Sequence, residues 1–426
     1  MLKPHIVIVG AGFGGVYVAK RIVSRVAKGE IDVTVINRTN YFLFTPLLHE
    51  VATGALGPAS VAEPLREVFA HTGVAVIEAE VDSVDLDAQK LKIANHAAGR
   101  DSHTIEYDYL VISTGAETNY YGIPGADRFG MPLKTLADAV AIRSRIIDAF
   151  EEAVLANSAE ERKALLSFAV VGGGPTGVET AAELAEFVSG MTRRHYCKPE
   201  CSADEPGQCR FDEPSVSLIN GGPEILQQFP PLLRTAAADR LRHEGVKLIL
   251  NSAVASVSAK GIVLADGSTV PASVVVWAAG VKPIIPQFIG TQPQVVVGRL
   301  VASSDMRLAG QGRVFVLGDV AGLTPPVPFL AQAAIAQARV VATNLLASIS
   351  QKPLKSFSYR SKGNMVSVGQ RFAIAQSGKI NISGLFAWWI WRTVYLFKFT
   401  SWRKRFRIVV DWTFDFFLPR DITKLS

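Results

Sequence analysis

The sequence predicts an α/β protein with two Rossmann-like dinucleotide-binding domains, one inserted into the other, and a C-terminal amphipathic, membrane-associated segment. Three observations predict it. A glycine fingerprint, Gly10-Ala11-Gly12-Phe13-Gly14-Gly15, follows the apolar run His5–Val9. A second, Gly172-Gly173-Gly174-Pro175-Thr176-Gly177, follows Ser167–Val171. Five of the six tryptophans fall in the last 40 residues, interleaved with Arg and Lys. A strand before and a helical pattern after make G-x-G-x-x-G a strong signal. The first glycine makes the tight turn, the second lets backbone approach a pyrophosphate, and the third packs helix on strand. The helix N-terminus then favours the phosphate charge. Two such loops imply two dinucleotides and a hydride passing between them.

The elements follow in order. A strand at about 5–9 and a helix from about 13 to 28 open the first unit, and Asp32–Ile36 is its next strand. Residues 40–70 read as irregular, then helical, and 74–112 as short alternating strands ending in Tyr109–Ile112. Thr135–Ala156 is a helix leading out. The second strand–loop–helix runs from 167 to about 188, continues in the strand Ser215–Ile219 and closes at 274–280. The buried run Val314–Leu317 reads as a late strand returning to the first domain. The expected domains are 1–156 and 286–355 for the first, 157–285 for the inserted one, and 356–426 for an interface and anchoring region.

Composition narrows the class. A chain of 426 residues exceeds one typical core. With 49% hydrophobic and 19% charged residues it is globular with an apolar lean. The net charge of +6 accompanies no nucleic-acid-reading motif, so no nucleic-acid partner is expected. Three cysteines are too few for a disulfide framework, and a reducing compartment is the default. The glycine loop begins at residue 10, which reads as a chain with no signal peptide ahead of its first strand. No run of 18 uncharged apolar residues suggests a membrane span.

A dinucleotide site commonly holds ribose hydroxyls with an acidic residue about 20 positions beyond the glycines. Here Asn37 stands 22 positions beyond Gly15, with Arg38 beside it. It reads as a ribose contact or as a strand-end turn residue. Its counterpart, Asn220, lies 43 positions beyond Gly177, so this unit carries about 21 extra residues around 190–213. An amide here removes the repulsion a carboxylate would exert on a 2′-phosphate. Gly318-Asp319 puts a carboxylate at the C-terminal end of a strand, where open α/β sheets bind ligands, or caps the segment that follows.

Glu179, just after the second loop, reads either as a helix-start carboxylate stabilised by the dipole or as a functional acid. His195, Cys197, Cys201 and Cys209 have the residue types of a tetrahedral zinc site. Their spacing matches no standard finger, and a solvated loop with three free thiols is favoured. Residues 40–60 hold no cysteine, which argues against a disulfide reductase. At the C-terminus, Ile382–Phe399 reads as a helix lying in a lipid interface. Trp388, Trp389, Trp391, Trp402 and Trp412 would sit at headgroup level and the cations on anionic lipid.

Taken together, Ile8–Gly15, Asn40–Leu48, Val51–Gly54, Ser113–Gly115, Val171–Glu179, Val276–Val281, Leu317–Asp319 and Pro328–Gln332 resemble the type II NADH:quinone oxidoreductases. These belong to the two-dinucleotide-binding-domain flavoproteins. The resemblance covers nearly the whole chain. It implies FAD on the first loop, at Gly10, Gly12, Gly14, Gly15, Asn37, Arg38, Val81, Gly318 and Asp319, with Thr45, Pro46, Thr114 and Gly115 lining the flavin. It implies a nicotinamide cofactor on the second, at Gly172, Gly174, Thr176, Gly177, Asn220, Ala279 and Gly280. NADH is the expected donor, with NADPH tolerated. Gln332 would reach flavin and quinone, Glu179 would supply protons, and Lys379 would be its partner. The family's Ala-Gln-x-Ala-x-Gln quinone motif departs here: Ala336 stands at the second Gln position and Gln337 one step later. A helix turns about 100° per residue, so Gln337 need not face the way Gln332 does.

The expected activity is non-proton-pumping transfer of electrons from NAD(P)H through FAD to a membrane quinone. The expected setting is a homodimer attached peripherally to the cytoplasmic face of a bacterial inner membrane. The rivals are a soluble flavin-dependent reductase of another acceptor and a non-enzymatic flavin redox sensor.

Overall fold

The computed structural model describes residues 3–94, 102–196, 214–399 and 401–424. The chain forms two compact units, each drawn from three stretches. The first takes Met1–Leu43, Glu63–Glu117 and Val281–Ser361; the second takes Phe44–Ala62, Thr118–Gly280 and Lys362–Ser426. The second unit thus starts ahead of the expected boundary at 157. The reason lies in pairing and packing. Strand Gly130–Pro132 joins the second sheet beside Val274–Trp277. The short helix Leu48–Ala52 packs on the helices Leu136–Leu155 and Pro175–Met191.

In the first unit the strands Val314–Val316, Tyr109–Ile112, His5–Val9, Asp32–Asn37 and Ala75–Glu78 form one parallel sheet in that order. The late strand expected from the apolar run at 314 is in place beside Tyr109–Ile112. His5–Val9 is buried along almost its whole length, as a parallel strand covered on both faces must be. Helix Phe13–Ala27 buries Val16, Val18, Ala19 and Ile22 and packs against helix Ala331–Ile349. A separate four-stranded sheet of Gln287–Ile289, Glu80–Asp85, Lys90–Ala94 and His103–Glu106 belongs to the same unit.

In the second unit Gly130–Pro132, Val274–Trp277, Ser167–Val171, Ser215–Ile219 and Val246–Ile249 form the equivalent parallel sheet. Helix Leu136–Leu155 opens on a capping box, in which Thr135 and Asp138 satisfy each other's backbone N–H groups. The C-terminal stretch adds an antiparallel sheet, Asn364–Ser367, Ala373–Ser377 and Ile380–Gly384. Helices Leu385–Lys398 and Trp402–Phe417 follow.

This corrects the expectation of a single helix over 382–399. Ile382 and Ser383 are spent on the strand pairing with Ala375 and Ile374, and the helix begins only after Gly384 turns the chain at φ +91°. The tryptophans also divide. Trp389 and Trp402 are exposed, whereas Trp388, Trp391 and Trp412 are buried within the second unit. Trp412 Nε1 donates to Glu50 Oε2 at 2.7 Å, and Trp391 lies 6.3 Å, ring to ring, from His49. Indole nitrogens seek a partner when buried, and that of Trp412 found a carboxyl. The C-terminal helices are therefore part core and part surface. Among the described residues, no helix is long and apolar enough to cross a membrane.

Candidate functional site

Each glycine loop sits at the crest of its parallel sheet, and the two are built alike. Gly10 N–H donates to Ile36 O at 2.8 Å, and Gly172 N–H donates to Ile219 O at 2.8 Å. Both glycines have positive φ, +93° and +119°. A Cβ on Gly15 or Gly177 would collide with the carbonyl of Gly10 or Gly172, which fixes how closely helix meets strand. Gly12 and Gly174 face open space. Neither helix has a side-chain cap at its N-terminus, so the first N–H groups are left for a ligand. These cradles suit pyrophosphates, the group that FAD and NAD(H) share.

The asparagines brace the loops. Asn37 Oδ1 accepts from Ala11 N–H at 2.8 Å, and its amide donates to Thr39 O at 2.8 Å. Asn220 Oδ1 accepts from Gly173 N–H at 3.1 Å, and its amide donates to Gly222 O at 3.1 Å and Glu224 O at 3.0 Å. A carboxylate could accept but not donate. The amide thus serves the loop's backbone, a role the sequence reading did not assign to it.

Around the first loop, Ser113 Oγ donates to Gly10 O at 2.8 Å. Thr114 Oγ1 donates to Ile284 O at 2.5 Å, and Ile284 N–H donates to Gly115 O at 3.0 Å. The turn Gly318–Val320 carries Asp319 directly beyond the strand Val314–Val316. Gln337 is buried, and its Oε1 accepts from Gly318 N–H at 2.6 Å. Gln332 and Ala336, four residues apart on one face of the same helix, are half exposed. Gln337 is therefore turned away from Gln332 and holds the Gly318 turn. Val81 and Arg38 belong to the first unit as well, and Arg38 Nη1 lies 4.0 Å from Glu80. Thr45 and Pro46 belong to the second unit.

The second loop opens on a cavity of about 470 Å³ lined by Gly172–Gly174, Asn220–Gly222, Ala278–Gly280 and Tyr121, among others. Thr176 and Gly177 lie in the helix behind it. Glu179 is the fifth residue of that helix, and no acidic residue occupies its first turn. The helix-start reading is thereby corrected: burial governs this carboxyl, not the dipole, which fades beyond one turn. Burial holds Glu179 well above the usual carboxylate range, against the opposing bond from Ser367 N–H at 3.2 Å.

Glu179 does not stand alone. His49 Nδ1 lies 3.9 Å from Glu179 Oε2. Burial, then the charge of Arg420, lowers His49 to about 3, so it is neutral. Glu179, Glu183 and Glu186 lie on one face of the helix Pro175–Met191, facing Glu50, Asp415, Arg392 and Arg420. Arg420 Nη2 sits 2.6 Å from Glu183 and its Nε 2.8 Å from Asp415. Burial works against the Arg420 charge, but Glu183, Asp415 and Glu186 outweigh it and raise its pKa. Five carboxyls thus share three guanidinia, since Arg240 Nη2 also lies 4.0 Å from Glu186. Burial, reinforced by Glu183, pushes Glu50 and Glu186 up to about 8 each. Like charges in a dry space cannot all ionise.

The sequence reading found only Glu179 of this cluster. The signal it missed was three glutamates at i, i+4 and i+7 on an otherwise apolar helix. Lys379 is not brought to Glu179. It is exposed in the turn joining Ala373–Ser377 to Ile380–Gly384, whereas Ser367, which bonds Glu179, pairs with Ala373 at the far end of that hairpin. Four strand residues separate the two ends by about 13 Å. Of the zinc candidates, Cys197, Cys201 and Cys209 lie outside the described residues; His195 lies in the helical turn Thr192–Tyr196.

Two nucleotide-type sheets in one chain, each with an open glycine cradle, define an oxidoreductase of the two-dinucleotide class. The family model of the pyridine nucleotide-disulphide oxidoreductases matches residues 4–338, and that of the NDH2 C-terminal domain matches residues 361–421. The chain is 33% identical to the type II NADH:quinone oxidoreductase NdhA of Mycobacterium tuberculosis, over 97% of this chain and 87% of that protein. It is 30% identical to the internal alternative NAD(P)H-ubiquinone oxidoreductase A1 of Arabidopsis thaliana, over 99% and 86%. The fold is similar to that of NDH2 from Plasmodium falciparum in complex with NADH, with a TM-score of 0.86, 22% identity and coverage of 99% of this chain and 100% of that one. The chain belongs to the type II NADH:quinone oxidoreductase family.

Two outcomes follow from this geometry. Asn220→Asp loses both amide donors and sets a carboxylate against two carbonyls. Urea unfolding should show a loss of about 1–3 kcal/mol, and Asn220→Gln should not restore it. The second concerns pH. Glu50 and Glu186 are raised on folding, so between about 4.5 and about 8 the folded state binds more protons than the unfolded one. Stability then falls as pH rises through that window. His49 is lowered, so its contribution rises only up to pH 6.5. From about 6.5 to about 8 the carboxyls act alone. The melting temperature should drop across that interval, and Glu50→Gln should flatten the slope.

Proposed function

We propose that this chain oxidises NADH, tolerates NADPH, and passes two electrons through bound FAD to a membrane quinone. The observation that carries this reading is the pair of open glycine cradles, one in each unit. FAD fits the first: Gly10, Gly12, Gly14 and Gly15 give it backbone, and Asp319 offers a carboxylate at the strand end. Bound there, the flavin supplies the two-electron redox chemistry that no side chain of the protein can. The second cradle holds the pyrophosphate of the nicotinamide cofactor. Asn220 presents an amide where a carboxylate would repel a 2′-phosphate, which supports NADPH as a second donor.

The residues do three jobs. The helix N-termini orient the dinucleotides and cost no reorganisation when they bind. Gln332 and Ala336 present the half-exposed face of their helix to the quinone headgroup. Burial has pushed the Glu179 carboxyl well above the usual carboxylate range, which favours its protonated form. Reducing a quinone to a quinol takes two electrons and two protons. The hydride of NADH carries both electrons and one hydrogen nucleus; the other proton passes through the Glu179 carboxyl, which regains one from solvent after each turnover.

The C-terminal helices support attachment to a lipid surface. Phe386, Trp389 and Phe397 on one helix, and Trp402, Phe406 and Val409 on the next, are exposed beside the exposed cations Arg403 and Arg407. Such faces favour an anionic interface. A peripheral position on the cytoplasmic face of a bacterial inner membrane suits them.

Stopped-flow absorbance tests the reaction. NADH should bleach the bound flavin and a quinone should restore it over many turnovers; a single bleach without recovery would indicate a sensor. Glu179→Gln should slow the recovery phase by roughly 10²-fold and leave the bleaching phase within twofold. For attachment, Trp389→Gln with Phe406→Gln should release the folded chain from phosphatidylglycerol vesicles at low salt. Retention equal to the parent's would refute the lipid-facing assignment.

A further inference from the structure

Tyr121 is held in a costly way for a residue with no assigned role. Its backbone has φ +53°, in the left-handed region that bulky side chains rarely adopt. The residue is 60% exposed, yet it lines the 470 Å³ cavity of the second loop. Neighbouring groups hold it there. Tyr121 N–H donates to Asn119 Oδ1 at 2.9 Å, and Asn119 N–H donates to Gly280 O at 3.0 Å. Buried Trp277 donates from Nε1 to Asn119 O at 2.9 Å. The tyrosine hydroxyl donates to Ala279 O at 3.3 Å. The ring also explains Gly280: any Cβ there would strike the phenol, with its Cζ only 2.9 Å away. Strain of this kind persists where the surroundings over-determine it, and it clusters at ligand clamps.

Sheet order says which half of the ligand meets this ring. Ser167–Val171 is central and carries the glycine loop, so the pyrophosphate lies over it. Ser215–Ile219 is its neighbour on one side and ends at Asn220, the strand end toward which a dinucleotide's adenosine ribose lies in such sheets. Val274–Trp277 is its neighbour on the other side and runs into Ala279 and Gly280. The cofactor's other half must extend that way, toward Tyr121. An aromatic face with its hydroxyl already engaged offers a flat, apolar platform. The oxidised nicotinamide ring is a flat cation, which such a face also attracts.

We propose that Tyr121 is the seat of the nicotinamide half of the cofactor, a positioning residue whose ring packs on that half and whose place Gly280 keeps clear. The inference rests on the reading that the second loop binds NAD(H). Calorimetric titration of the oxidised, flavin-loaded protein tests both separately, with NAD⁺ and with ADP, which lacks the nicotinamide half. Tyr121→Ala should weaken NAD⁺ by about tenfold and leave ADP within twofold. Tyr121→Phe should keep most of the NAD⁺ affinity. Tyr121→Leu, which keeps bulk without the aromatic face, should behave as the alanine does and replaces it if that variant does not fold. Unchanged NAD⁺ binding, or equal losses for NAD⁺ and ADP, would overturn the role. A parent protein that binds neither ligand would remove the cofactor reading itself, and the inference with it.

Discussion

Everything in this chain depends on one backbone constraint: a strand must turn sharply into a helix and leave that helix's first N–H groups uncapped. Gly10 and Gly172 make the turn at positive φ, and Gly15 and Gly177 let the helix close on it. An open loop of this kind would be loose without a brace. Asn37 and Asn220 supply one, each accepting from the loop and donating to the turn beyond the next strand. The same solution appears in both units, so it belongs to the way the loop is held in this chain and not to the ligand of either one.

The second unit adds a different constraint. Its interior holds more carboxyls than cations, and some must keep their protons. Arg420 ties Glu183 and Asp415 directly, and Trp412 reaches Glu50. The C-terminal stretch is therefore fastened by buried polar bonds as well as by apolar packing. Removing one partner of such a set is costlier than the set is worth as a whole, because a charge is left behind. The raised proton affinity of Glu179 and a firmly seated tail are two results of the same burial.

Much of the fold was legible in the sequence. The late strand at Val314–Val316 followed from an apolar run that the first sheet needed for completion. The helix Leu136–Leu155 followed from local pattern, and its capping box at Thr135 became visible only in the structure. The C-terminal helices were harder to read. Ile382 looks like a helix residue until Ala375 takes it as a strand partner, and Trp391 looks like a lipid anchor until His49 packs beside it. Trp391 depends on a residue distant in sequence and Ile382 on a hairpin partner a few residues back, and helical periodicity reports neither. Lys379 failed as a partner of Glu179 for the same reason: the hairpin register puts it at the wrong end.

By itself the sequence determined the two glycine cradles, the strands that carry them and the family they mark, because each depends on local chemistry at fixed spacing. Tertiary structure alone decided which side chains meet. It brought Glu50, Asp415 and Arg420 to the glutamate face of Pro175–Met191, gave Gln337 to Gly318, and set Tyr121 against Gly280. Proton affinity follows burial and neighbouring charge, and neither exists until the chain has folded.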